Sequence, residues 1–272
     1  MTSNLDLAAR ARAFAALHTP AAPLALANAW DVASARIVEA AGAPAVATTS
    51  AGVAWSLGSP DGDALARDRA LDLVARVAAA VSVPVTADIE SGFGADPAAV
   101  AETVAGVLAA GAVGINIEDG TRAPAEHAER VAAARSAAEA AGVPLYINAR
   151  VDTYLKGLGD PAARLDETLA RAAAYLRAGA TGVFVPGVTD PATVAELAKG
   201  IDAPLNVLAG PGAPAVAEFG ALGVARVSLG SWVAEAAYAA ARRAAEELVS
   251  GGTYGSLAGS LPYGELNGLL GS

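Results

Sequence analysis

The chain has no cysteine and only two histidines, His18 and His127, among 272 residues. The first shortage excludes disulfides, thiolate metal ligands and a cysteine nucleophile; the second excludes a histidine-rich metal centre. Any metal must be held by oxygen, which favours Mg²⁺ or Mn²⁺ over Zn²⁺. Charge is scarce as well: Asp, Glu, Lys and Arg make up 17% of residues, against 54% hydrophobic. Most of the chain must therefore lie inside packed structure. No apolar run escapes interruption by a charge, glycine or proline for long enough to span a bilayer. The first residues show no basic-then-apolar signal pattern. The expectation is a cytoplasmic protein with no membrane partner. The net charge is −10. With no basic cluster beyond Arg242-Arg243, nucleic acid is not an expected partner either.

What is present is a recurring unit. A helix ends in glycine or a similar breaker, and a short, continuously apolar strand follows. Strands are expected at 24–28, 45–49, 85–88, 113–117, 145–148, 182–185, 204–208 and 225–229. Continuous rather than alternating apolarity suits strands covered on both faces. Eight strand–helix units at a spacing of roughly 20–40 residues suit a (β/α)8 TIM barrel of class α/β. An open doubly wound sheet ranks lower, because no G-x-G-x-x-G follows the first strand. No linker divides the chain, so residues 1–272 are expected to form one barrel domain. A leading helix over 6–18 precedes it, ended by Pro20 and Pro23. Asp31 or Ser34 is expected to cap the next helix. After a long helix over 231–249, the apolar tail around Tyr263-Gly264-Glu265-Leu266 is expected to pack on the barrel or on a neighbouring subunit.

In such a barrel the C-terminal strand ends meet at one mouth. Asp88 and Glu90 follow the third strand, two residues apart and so on the same side of an extended chain. Glu118 and Asp119 end the fourth; Arg150 and Asp152 end the fifth. Acids gathered in consecutive units of a charge-poor chain point to a divalent cation and an anionic substrate. Arg150 has two readings: it neutralises these acids, or it holds a substrate carboxylate in a bidentate fork. The second unit offers Thr49, Ser50, Ala51 and Gly52 to the mouth, and the seventh offers Asn206. The Gly210-Pro211-Gly212 segment is expected to be a plain turn. Trp55 is expected in a loop, as a lid or core aromatic. His127, early in a helix after Pro124, is expected on the surface.

At these residues the sequence resembles the isocitrate lyase/phosphoenolpyruvate mutase superfamily. The matching stretches are Trp30-Asp31-Val32-Ala33-Ser34-Ala35-Arg36, Thr49-Ser50-Ala51-Gly52, Ser56-Leu57-Gly58-Ser59-Pro60-Asp61, Asp88-Ile89-Glu90-Ser91-Gly92-Phe93-Gly94, Ile117-Glu118-Asp119, Asn148-Ala149-Arg150-Val151-Asp152 and Leu261-Pro262-Tyr263-Gly264-Glu265-Leu266. The resemblance implies a (β/α)8 barrel whose last helix is exchanged with a neighbour in a dimer or tetramer. It implies Mg²⁺ near Asp88, Glu90 and Glu118, partly through water, with Asp61 beside the metal or substrate. The backbone of Ser50, Ala51 and Gly52 and the side chain of Arg150 would hold a 2-oxo carboxylate. Members break or rearrange a C–C or P–C bond through a pyruvate-like enolate.

Two departures narrow the implied reaction. The cysteine-containing lid of the isocitrate and methylisocitrate lyases is replaced by Gly120-Thr121-Arg122-Ala123-Pro124, and the mutase histidine is matched by Pro186. The expectation is a Mg²⁺-dependent lyase that cleaves a C–C bond of a small 2-oxo or 2-hydroxy acid. Arg150, Asp61 and Glu118 are its candidate catalytic residues. A P–C bond enzyme and a non-catalytic 2-oxo acid binding protein are the alternatives.

Overall fold

The computed structural model describes residues 4–271; the Met1-Thr2-Ser3 stretch, read above as lacking a signal pattern, lies outside the described residues. Nine parallel strand segments form one sheet: β1 (Leu24–Leu26), β2 (Asn28–Ala29), β3 (Val46–Thr48), β4 (Val85–Asp88), β5 (Gly114–Glu118), β6 (Tyr146–Arg150), β7 (Gly182–Val185), β8 (Leu205–Leu208) and β9 (Arg226–Ser228). Their order is β1-β9-β8-β7-β6-β5-β4-β3-β2. The expected single strand over 24–28 is corrected: it is two segments parted at Ala27, β1 pairing with β9 and β2 with β3. The sheet thus returns to its own first strand, and eight positions close a (β/α)8 barrel. Asn28 staples the seam. Its Nδ2 donates to the Thr48 carbonyl at 3.0 Å, and its Oδ1 accepts from Leu229 and Gly230 N–H at 3.1 and 2.9 Å.

The helices are α1 (Asn4–Ala16), α2 (Val32–Ala40), α3 (Ser50–Ser56), α4 (Arg67–Ala80), α5 (Pro97–Ala109), α6 (Pro124–Ala140), α7 (Arg164–Arg177), α8 (Pro191–Gly200), α9 (Val216–Ala221), α10 (Trp232–Gly251) and α11 (Tyr263–Gly271). Both candidate caps of α2 act together: Asp31 is the N-cap, and Ser34 completes a capping box. Asp96 and Asp190 cap α5 and α8, each with proline at the first helical position. Among the described residues no helix is long and apolar enough to cross a membrane.

One set of strand side chains, including Ile115, Ile117, Ile147, Val183, Val185 and Val207, is buried in the main apolar core. At alternating positions, polar side chains meet one another across the barrel lumen. The N-terminal end is sealed by aromatics. Phe14 of α1 meets Tyr146 of β6 edge-on at 5.4 Å, and His18 stacks on the same ring at 3.9 Å.

Two placements differ from expectation. His127 is fully buried, not on the surface, because the first turn of α6 lies against α7, where the imidazole meets the Tyr175 ring at 4.6 Å. Trp55 belongs to α3 rather than a loop; it is partly exposed and edge-on to Tyr238 of α10. The Gly210–Pro211–Gly212 segment is a turn, closed by Ala213 N–H to the Gly210 carbonyl. The apolar tail forms α11, which packs on α2 of the same chain.

Candidate active site

The mouth is built from strand ends held in register. Asp88 lies beside Asn116, and Glu118 beside Arg150. Thr48 Oγ1 accepts the Asp88 N–H at 2.9 Å, fixing the end of β4. The Asp88 carboxylate then accepts from the backbone N–H of Ser50 at 3.3 Å and of Glu90 at 3.2 Å. Ser50 opens α3, so Thr49, Ser50, Ala51 and Gly52 reach the mouth as the first turn of a short helix. A Cβ on Gly52 would come within 2.7 Å of Trp30 Cβ and 2.8 Å of Thr49 Cγ2, so only glycine lets that turn seat so closely.

Glu90 adopts a left-handed conformation, φ 51°, as do Asp63 at 60° and Phe93 at 50°. Such strain in non-glycine residues persists only where surrounding contacts enforce it. The contacts here are reciprocal: the Asp63 N–H donates to the Glu90 carboxylate, and the Ser91 N–H donates to the Asp63 carboxylate at 3.3 Å. The loop carrying Asp61 is thereby tied to the end of β4. Asp61 itself is exposed, yet near enough for its charge to act on both Asp88 and Glu90. Beside this tie opens a cleft of about 460 Å³ bordered by Asp63, Ser91 and Arg122.

Arg150 is fully engaged. Its Nη1 lies 2.5 Å from Glu118, while Nε and Nη2 reach the two oxygens of Asp152 at 2.6 and 3.2 Å. Of its two readings, charge neutralisation describes the observed arrangement. Asp152 is held in turn by Asp119, whose Oδ1 accepts the Asp152 N–H at 2.9 Å. The other Asp119 oxygen takes Tyr175 Oη at 2.7 Å and Arg171 Nη1 at 2.9 Å. Asp119 is thus a buried brace behind the mouth.

Burial dominates the electrostatics. It raises the Asp88 pKa, helped by Asp61 and opposed by Arg150 and the two backbone donors. It pushes Glu90 up to about 7, with Asp61, Asp63 and Asp88 adding to the shift against the Asp63 N–H. It pushes Glu118 up to about 8, with Arg150 opposing and Asp152 and Asp88 reinforcing. Arg150 is raised: Glu118, Asp152 and Asp88 outweigh its own burial. Acids held this way are short of positive charge, and an added cation would restore their ionised forms.

The donor set is all oxygen and suits a hard dication. Among the described residues no three acids converge closely enough to ligate one ion directly. Glu90 is turned to Asp63 and Glu118 to Arg150, leaving Asp88 with the weaker, longer contacts.

Deeper in the lumen lies a polar layer of which the sequence reading singled out Asn206 but not Asn116 or Arg226. Asn148 Nδ2 donates to Asn116 Oδ1 at 2.9 Å, and Arg226 Nη2 reaches the same oxygen at 3.3 Å. Asn206 accepts from Ser228 Oγ at 3.2 Å and is almost fully buried. The available signal was period two: Asn116 and Asn148 stand two residues before Glu118 and Arg150, and Arg226 interrupts an apolar run.

A parallel barrel with carboxylates gathered at the C-terminal ends of adjacent strands defines a class of enzyme in which oxygen ligands and a small substrate share one mouth. The phosphoenolpyruvate phosphomutase family matches residues 14–249, and the chain belongs to it. A protein of Burkholderia cenocepacia J2315, provisionally described as a lyase/mutase, superposes with a TM-score of 0.90 at 41% identity, over 98% of this chain and 97% of that one. The 2-methylisocitrate lyase of Escherichia coli K12 is 30% identical over 74% of this chain and 70% of its own. A phosphonopyruvate hydrolase, crystallised with oxalate and Mg²⁺, matches at TM-score 0.82 and 26% identity over 96% and 95% of the two chains. The protein is a member of an enzyme superfamily whose members include a carbon–carbon lyase.

Proposed function

We propose that the protein cleaves a C–C bond of a small 2-oxo or 2-hydroxy carboxylic acid with the aid of Mg²⁺, or Mn²⁺ in its place. The observation that carries this reading is the cluster of Asp88, Glu90 and Glu118 at adjacent strand ends, with burial raising all three pKa values. Asp88 is the direct ligand in this reading, with Glu90, Glu118 and Asp61 acting through water. When bound, the dication supplies a Lewis acid where negative charge develops on the leaving enolate oxygen. The first turn of α3, from Thr49 to Gly52, orients the substrate carboxylate with backbone N–H groups. Arg150 keeps Glu118 and Asp152 in place and offsets carboxylate charge; Asn206 faces the substrate from β8. Pro186, directly after β7, has no side-chain donor to steer a phosphoryl group, which disfavours P–C chemistry.

The proposal extends to a cytoplasmic homodimer or tetramer built from one barrel per chain. Leu248, Val249, Tyr254, Leu257, Leu261 and Tyr263 are all exposed at the C-terminal end, and exchange of α11 between copies would bury such side chains. The decisive experiment is a Mg²⁺-supplemented screen of oxaloacetate, 2-methylisocitrate, dimethylmalate and phosphonopyruvate, read by product identity. Pyruvate from one of the first two, or cleavage of dimethylmalate, supports the lyase. Phosphate released from phosphonopyruvate alone replaces it with the P–C reading. Tight oxalate binding without turnover of any substrate replaces it with a binding protein.

A further inference from the structure

Arg226 begins β9 and is fully buried. Its Nη2 contacts Asn116 on β5, four strands away in either direction around an eight-position barrel. The side chain therefore crosses the lumen from wall to opposite wall. Above it, Asn116 lies in register with Asp88, two residues before Glu118. Below it sits the Phe14–His18–Tyr146 plug, which feels its charge: Arg226 and burial together press His18 down to about 3. No carboxylate lies in ion-pair contact with Arg226 among the described residues, and its Nε and Nη1 have no hydrogen-bond partner. A buried charge without a pair is costly and uncommon. The two arginines at the mouth are committed, Arg150 to Glu118 and Asp152, and Arg171 to Asp119 and Glu167.

We infer that Arg226 is a positioning residue, a lumen-spanning cation that closes the floor of the site and holds the negative charge of substrate and enolate from below. In a low-dielectric lumen a fixed charge one side-chain layer away acts strongly, and it needs no rearrangement during the reaction. Asp88 lies near enough for its charge to act on Arg226 across that layer, partly offsetting the burial of the guanidinium. The floor also fixes the Asn116 amide, whose oxygen is shared between Arg226 and Asn148.

This rests on the proposed function, and the test separates the two. Oxalate affinity is measured by calorimetry in saturating Mg²⁺ for the wild type, Arg226→Met and Arg226→Lys, with a thermal melt of each. The expected result is a loss of about tenfold or more in oxalate affinity for R226M, with affinity largely retained in R226K. The melting temperature of R226M should hold or rise, because an apolar chain replaces an unpaired buried charge. R226M binding oxalate as tightly as the wild type overturns the inference alone. So does equal loss in R226K and R226M, which makes the residue merely structural. A wild type that does not bind oxalate overturns the proposed function, and this inference with it. If R226M does not fold, Asn116→Asp places a counter-charge on the guanidinium; unchanged oxalate affinity there overturns the inference equally.

Discussion

The two ends of the barrel bury ionisable groups in opposite ways. At the N-terminal end His18 is pushed down to about 3, so it is a neutral ring stacked between apolar partners. Its neutral form suits an aromatic plug, although Nε2 is left without a hydrogen-bond partner. At the C-terminal end burial raises Asp88, Glu90 and Glu118 together, and Asp61, Asp63 and Asp152 add like charge. Arg150 alone cannot settle that many acids, and three residues are held in left-handed backbone around them. The lesson is that burial alone does not mark a functional site. Unresolved like charge, enforced by strained backbone, does.

The contrast can be broken most directly at Asp88. Asp88→Ala should lower metal-dependent turnover by at least about a hundredfold and abolish the heat of Mg²⁺ binding, while circular dichroism stays native. Wild-type turnover in this variant would remove Asp88 from the site. Arg150→Ala comes next. It leaves Glu118 and Asp152 facing each other without a cation, at a cost of about 3–5 kcal/mol in chemical denaturation, and it should weaken oxalate binding. An unaltered inhibition constant would confine Arg150 to a structural role.

The plug predicts the reverse pattern. Phe14→Ala should cost about 3–5 kcal/mol of stability, yet activity per folded molecule should stay near wild type at a temperature where the variant remains folded. A large loss of kcat there would show that the two ends are coupled.

The smallest effect is a pH slope. Glu90 and Glu118 have folded pKa values of about 7 and about 8, above the ordinary 4.5. The folded state therefore holds more protons than the unfolded chain between those values, and stability falls as pH rises through them. The melting temperature of metal-free protein should drop over that window, and Mg²⁺ should flatten the drop. A metal-free melting temperature that rises with pH across the same interval would contradict the raised values.

The barrel was legible because its signals are local: a glycine or proline break, then a short apolar run, repeated to the end of the chain. The mouth acids were legible for the same reason, since position at a strand end can be read from one dimension. The partner choices were not. Arg150 showed two possible roles, and no local signal announced that Asp152 and Glu118 flank it. His127 looked like a helix-surface residue because nothing local announces that α6 meets α7 at Tyr175. The seam at Ala27 escaped because one apolar stretch pairs with β9, distant in sequence, and with β3.

By itself the sequence determined the fold class, the limitation of any metal to oxygen donors and which strand ends carry charge. Composition and chain-local periodicity suffice for those. Closure of the barrel decided the rest: the brace from Asp119 to Asp152, the reciprocal tie of Glu90 and Asp63, and the arginine laid across the lumen. Each is a contact between residues on different strands or loops, and its strength depends on burial that exists only once the sheet has closed on itself.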